Sequence, residues 1–504
     1  MSIARNAGIL MHVTSLPSPF GVGDVGPAAR TFLRFLHKSH QRYWQLLPIH
    51  PVIATAGYSP YSPVSVMAGN TLLISPEMLA EEGLLDAGQL PAYYLPVQAQ
   101  ADFSTAVTIK NALLREAYQH FTTGSFPQLK KEYDVYLQKQ QYWLEAYTCF
   151  MLLQQQHKGL PWHQWPSADR TPVPQLFSRV LTAHRQEADR LRWEQFIFDY
   201  QWRQLRKDAR KLGVHLIGDI PFYPGYHSAD VWAAQSLFKV DAQGKLKGVA
   251  GVPPDYFNAE GQHWGMPVYD WDAMKAQQYK WWISRIRRCL EWYDSMRLDH
   301  FRAFSAYWEI PGKDTSAVNG RWQPGPGAAL FEAWQQHLGT LPFIAEDLGE
   351  IDAEVYQLRD RYQLPGMHVL QFAFGKDMAT STHIPHHHRA NAVVYTGTHD
   401  NNTTRGWFLQ DTAKTDRMRL TQYIGKRVFE KSVHLVLGRM AYASVAQTVI
   451  LPIQDVLGLA EDARMNIPAK ATGNWTWRLL PEQLTEAVIS RLKYWVLLYD
   501  RKQR

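Results

Sequence analysis

The chain has 504 residues, 46% hydrophobic and 20% charged, which is enough to bury a large core. Its net charge of +7 comes from 53 basic and 46 acidic residues, dispersed rather than gathered in a long stripe, and this argues against nucleic-acid binding. No apolar run reaches membrane-spanning length, and MSIARNAGILMHV lacks the apolar stretch and cleavage site of a signal peptide, so a cytoplasmic protein away from membranes is expected.

Taken in chain order, short apolar runs end in polar or acidic residues. They are GILMHVTSL (8–16), YWQLLPIHP (43–51), VHLIGDIPF (214–222) and SMRLDHF (295–301). LPFIAEDLG (341–349), MHVLQFAF (367–374), AVVYTGTHD (392–400) and TVILPIQDVLG (448–458) follow. Segments with helical periodicity, such as 189–213 and 277–294, lie between many of them. Continuously apolar strands alternating with helices predict a parallel sheet covered on its outer face. Eight of them fit a closed (β/α)8 barrel, an α/β fold whose chemistry sits at the C-terminal strand ends. A doubly wound open sheet is the alternative, but no Gly-rich phosphate turn supports it.

Residues 75–190 are predicted to form a mostly helical insertion, and 222–275, dense in Pro, Gly and aromatics, a loop folded over the site. The whole of 1–504 is expected to be one catalytic barrel domain carrying these insertions. Cys149 and Cys289 are expected to be reduced thiols. RIRR (285–288) reads as a solvated helix face, and PHHHR (385–389) as an exposed loop rather than a metal site, because adjacent side chains splay apart.

Acids fall at the expected strand ends: Asp219, Asp299, Glu346 with Asp347, Asp400 and Asp455. Glycosyl transfer with retention needs a group to protonate the departing oxygen and a carboxylate nucleophile about 5–5.5 Å from it. Asp299 ends the fourth run and Glu346 the fifth, so they should be neighbours, with Asp400 reaching in from the opposite side. Arg297 and Asp299 share a strand face, which holds the carboxylate oriented and ionised. Glu346 lies in apolar PFIAED, where burial raises a carboxyl toward general-acid range. Metal-dependent hydrolysis remains open at this level.

Longer words narrow the field. GILMHVTSLPSPFGVGDVG (8–26), SPY (59–61), SADVW (228–232), GVPPDYFNAEGQHWG (251–265), RLDHFRAFSAYWEIP (297–311), AEDLG (345–349), THDNNTTRGW (398–407) and ARMNIPAKATGNWTWR (463–478) resemble the 4-alpha-glucanotransferase family. This family, also called amylomaltase or disproportionating enzyme, is related to the alpha-amylase barrels. The resemblance implies that Asp299 is the nucleophile, Glu346 the acid/base, and Asp400 the group gripping the donor's 2- and 3-hydroxyls. It also implies supporting contacts from Arg297 and His399, a more structural acid at Asp219, and substrate contact at Tyr61. Asp255, Phe257, Gln262 and Trp264 become acceptor-side or cover residues, and Asn466 a donor-side contact. Maltodextrins, maltose and glucose would be the substrates and acceptors, with no cofactor or metal, in a monomer or weak homodimer.

An alpha-amylase-like hydrolase would use the same acids and is the alternative. A non-catalytic glucan binder would not need all three, and a phosphorylase would need a phosphate cradle or pyridoxal lysine, neither of which is identifiable. Met266 stands where the family usually has Asn, Ala303 where it has Gly, and the 50–58 loop is slightly longer than usual.

Overall fold

The computed structural model describes residues 5–254, 259–468, 470 and 472–502. In chain order the strands are β1 (Asn6–Leu10), β2 (Tyr43–Gln45), β3 (His215–Ile220), β4 (Gly248–Val252), β5 (Gln262–Pro267) and β6 (Ser295–Leu298). They continue with β7 (Ala306–Pro311), β8 (Arg321–Pro324), β9 (Phe343–Ala345), β10 (Gly366–Val369), β11 (Ala392–Tyr395) and β12 (Thr448–Pro452). Eight form one sheet in the order β10-β11-β12-β1-β2-β3-β6-β9, each pairing parallel. Their residues are almost all buried, as strands packed on both faces must be.

One seam remains between the outer strands, β9 and β10. There the Ala345 amide donates to the Pro365 carbonyl at 2.9 Å, and Asp347 Oδ1 accepts from the Met367 amide at 2.7 Å. Asp347 is also paired with Arg359, so a buried ion pair helps draw the nearly closed barrel together.

Between β2 and β3 the chain forms helices Phe103–Thr123, Pro127–Gln156 and Pro174–Ala183, before helix Arg185–Lys211 leads into β3. Asp102 starts the first by accepting from the Thr105 amide. Their aromatic residues, among them Trp143 and Trp193, join the same apolar cluster as barrel residues such as Trp44.

The segment expected to be loop from 222 to 275 contains two strands. β4 and β5 join β7 and β8 in an antiparallel sheet of order β5-β4-β7-β8. Half of this sheet therefore comes from the chain between Asp299 and Glu346.

Two other expectations are corrected. Arg285 and Arg288 of RIRR are fully buried. Arg285 donates to the carbonyls of Pro221 and Phe222 and lies over the Trp282 ring. Arg288 grips Asp199 through both terminal nitrogens and stacks on Trp292. Guanidinium groups survive such burial because every charge meets a carboxylate, carbonyl or ring face. In PHHHR, His386, His387 and Arg389 are exposed as expected, and the departure is His388 alone, buried and stacked on His368 with its ring nitrogens on Ser444 and the His383 carbonyl.

Candidate active site

The register places the chemistry. Leu298 of β6 pairs with Ala345 of β9, so the next residues, Asp299 and Glu346, leave adjacent strand ends together. On the other side Arg297 pairs with Asp219 of β3. Arg297, almost wholly buried, holds Asp219 through Nε at 3.0 Å and Asp299 through Nη2 at 2.7 Å. The Tyr61 hydroxyl donates to Asp219 at 2.7 Å. Asp219 is thus a buried brace: it fixes the guanidinium that fixes Asp299. Burial pushes the Asp219 carboxyl up, while the Arg297 charge opposes that rise.

Glu346 has different company. Its carboxylate accepts from the His300 amide at 2.7 Å and the Leu348 amide at 3.1 Å, and no cation hydrogen-bonds to it among the described residues. Burial, and next the nearby Asp299 charge, push it up to about 8 against the pull of Arg297. The His300 amide reaches Glu346 because His300 takes a left-handed conformation, φ 50°, uncommon for a residue with a side chain.

Asp400 stands across the mouth in the turn after β11. It is half exposed, accepts from Asn466 Nδ2 at 2.7 Å and lies 3.3 Å from His399 Nε2. Arg464 ties the same loop through the Asp400 carbonyl.

These groups face a cleft of ≈ 1510 Å³, counted out to open solvent. Asp299, Asp400, Tyr61, Trp264, His399 and Asn466 line it, whereas Arg297 and Asp219 stand behind. Tyr61 stacks on His399 at 5.1 Å, with Trp475 against both rings. Opposite, Trp264 meets His300 edge-on at 4.9 Å and packs near Tyr223. Exposed Gln262 accepts from the Trp264 indole at 3.0 Å, so it positions that ring. Asp255 and Phe257 lie outside the described residues. The site is a strip of rings around Asp299 and Asp400, with Glu346 behind the lining at the strand end next to Asp299.

A family model described as 4-alpha-glucanotransferase matches residues 11–484. The chain belongs to the 4-alpha-glucanotransferase family. It is 41% identical to the 4-alpha-glucanotransferase of Synechocystis sp. over 99% of this chain and 98% of that one. It is also 41% identical to the Thermus thermophilus enzyme, over 98% of each chain. An amylomaltase from Streptococcus agalactiae, solved with acarbose, superimposes with a TM-score of 0.94 at 34% identity, covering 99% of this chain and all of that one. The protein is thus a glucanotransferase built on an α/β barrel, and the hydrolase alternative is no better supported by these matches.

Within this 4-alpha-glucanotransferase, Met266 lines the cleft, as does Ala56 of the longer loop, while Ala303 is buried away from it. His300, Tyr223 and Trp475 were not singled out in the sequence. Trp475 also has positive φ, 65°, which turns its ring toward Tyr61. The GNWTW word contains that residue, but its contact depends on a partner far away in the chain.

Proposed function

We propose that the enzyme moves an alpha-1,4-glucan segment from a maltodextrin donor to the 4-hydroxyl of glucose or another maltodextrin, with retention at the anomeric carbon. The carrying observation is the contrast at two adjacent strand ends: one carboxylate held by a guanidinium, its neighbour raised to about 8. Asp299 attacks the anomeric carbon as Glu346 gives its proton to the departing oxygen. The bond to the leaving sugar breaks and a glucosyl ester on Asp299 forms. Glu346, now ionised, takes the proton from the acceptor 4-hydroxyl, which attacks the same carbon and releases Asp299.

Asp400, steadied by Asn466, grips the donor 2- and 3-hydroxyls, and the Tyr61–His399–Trp475 rings support that sugar. Trp264, beside His300, stacks on the acceptor and keeps water from the ester. Trp264→Ala should therefore raise the share of ester lost to water, read as new reducing ends per transfer at matched folded fraction. No cofactor takes part. A cytoplasmic monomer or weak homodimer is the expected form, in keeping with two buried, unpaired cysteines.

The test is the product ladder from maltotriose. Glucose plus longer maltodextrins, with little net gain in reducing ends, is the expected result. A steady rise in reducing ends would instead mean hydrolysis.

A further inference from the structure

The first strand of the barrel delivers a histidine to the mouth that the steps above leave unused. β1 pairs with β12 and β12 with β11, so the chain leaving all three arrives at one place. His12 follows β1, Gln454 follows β12, and the 398–402 turn follows β11. Together they line a cavity of ≈ 440 Å³, counted out to open solvent, with Leu10, Leu47 and Ile453 as its apolar wall. His399 lines this cavity and the catalytic cleft alike, so its ring borders both spaces.

His12 is only 6% exposed. Its carbonyl accepts from the Ser15 amide at 3.1 Å and starts a short helical turn, but its ring takes no part in that cap. Buried Nδ1 has no hydrogen-bond partner among the described residues, and buried Asn402 has the same deficit at Oδ1. Asp455, also in this lining, is already answered by Thr396 and Thr404. Burial, and next the His399 charge, hold His12 down at about 3, so its ring is neutral and offers one donor and one acceptor. Among the described residues, His399 is thus the titratable group near enough to act on it. Burying such a ring without partners costs stability, and a leucine would fill the space without that cost.

We propose that His12 is a positioning residue for transfer: ordered water in this cavity joins its ring to His399, fixing the tautomer and orientation of His399 and through it the hold of Asp400 on the donor sugar. A polar cavity with unsatisfied buried atoms takes up water, and water carries a hydrogen bond between groups too far apart to make one directly. His399 Nε2 lies 3.3 Å from Asp400 and needs its proton there to donate. In the neutral ring Nδ1 is then an acceptor, and a donor behind it selects that tautomer. The inference rests on the assignment of His399 and Asp400 to the donor sugar.

The test is His12→Leu beside His12→Asn, whose side-chain oxygen stands where Nδ1 does. Nitrogen-15 NMR of histidine-labelled protein reads the His399 tautomer, and transfer from maltotriose is measured at matched folded fraction. Wild type should carry the His399 proton on Nε2. His12→Leu should mix the tautomers and lower kcat roughly three- to tenfold, the worth of one hydrogen bond. KM should change little, because the grip on the donor hydroxyls strengthens in the transition state. The unfolding midpoint of His12→Leu should stay level or rise, and His12→Asn should recover most of kcat. An unchanged tautomer and kcat in His12→Leu would overturn the proposal. So would a fall in kcat matched by lost stability and not recovered by Asn, which marks a structural residue only. A changed tautomer with full kcat, in a protein whose His399→Ala variant also keeps full transfer, would instead overturn the donor-sugar assignment.

Discussion

Glu346 and Asp347 are neighbours in the chain at one strand end, yet they do opposite things. Asp347 turns into the β9–β10 seam, where Arg359 at 2.5 Å and the Met367 amide hold it. Glu346 instead accepts the His300 and Leu348 amides, with no side-chain donor among the described residues, and is pushed to about 8 by burial and by Asp299. Asp455, at the end of β12, resembles Asp347 in being engaged, accepting from Thr396 and from the amide and hydroxyl of Thr404. A strand-end position in a barrel therefore does not make an acid catalytic. Its partners decide: a charge fully answered by neighbours builds the scaffold, and one left to the solvent side of the mouth is available for chemistry.

The largest test of this contrast is Asp299→Asn. The amide keeps the shape but supplies no anionic nucleophile, so turnover should fall by on the order of 10⁴-fold or more. Circular dichroism should show an unchanged fold, and substantial residual transfer in pure variant would remove Asp299 from that role.

Glu346→Gln comes next. Loss of the proton donor should slow ester formation from maltotriose by roughly 10²–10⁴-fold. Glucosyl fluoride, whose leaving group needs no proton, should lose far less in the same step, measured as the burst before acceptor attack. Equal losses would show that Glu346 does not protonate the leaving group.

Asp347→Ala should act on the scaffold instead. It takes one of two carboxylates from buried Arg359, which keeps Asp360, and removes the acceptor of the Met367 amide, which costs about 1–3 kcal/mol of folding stability. Thermal and denaturant unfolding should both register the loss, while kcat of the folded fraction stays close to wild type. A collapse of kcat with unchanged stability would erase the distinction between these two neighbouring acids.

Much of this was legible in the sequence because the physics is local. VVY of β11 and VIL of β12 are apolar without alternation, as strands covered on both faces require, the first followed by a polar turn and the second by Pro452 and a short helix, Ile453–Leu457. The order of the runs also made Asp299 and Glu346 neighbours. What stayed hidden depends on remote partners. β7 and β8 gain their hydrogen bonds from β4 and from each other, and the mixed burial of AYWEIP carries no clear period. The burial of Arg285 and Arg288 depends on the Phe222 carbonyl and on Asp199. The role of His300 depends on a left-handed backbone that residues with a side chain adopt only occasionally.

The smallest effect gives the finest comparison. Because Asp299 is one of the two causes that raise Glu346, Asp299→Asn should lower the Glu346 pKa from about 8 toward the ordinary carboxylate value, and Arg297, relieved of one partner, should pull it further. The sign for catalysis is direct: as general acid Glu346 must hold its proton, so wild-type ester formation should decline as pH rises through about 8. The sign for stability follows from proton counting. Between the ordinary value and about 8 the folded chain holds a proton at Glu346 that the unfolded chain has lost, so this residue's contribution to stability falls as pH rises across that window. Asp299→Asn should narrow the window and flatten the slope. Carbon-13 NMR of labelled glutamate side chains reads the pKa directly, and unfolding midpoints between pH 5 and pH 9 read the slope. An unshifted Glu346 resonance in the Asn variant would mean that the two carboxylates do not sense one another, leaving burial alone to separate Glu346 from Asp347.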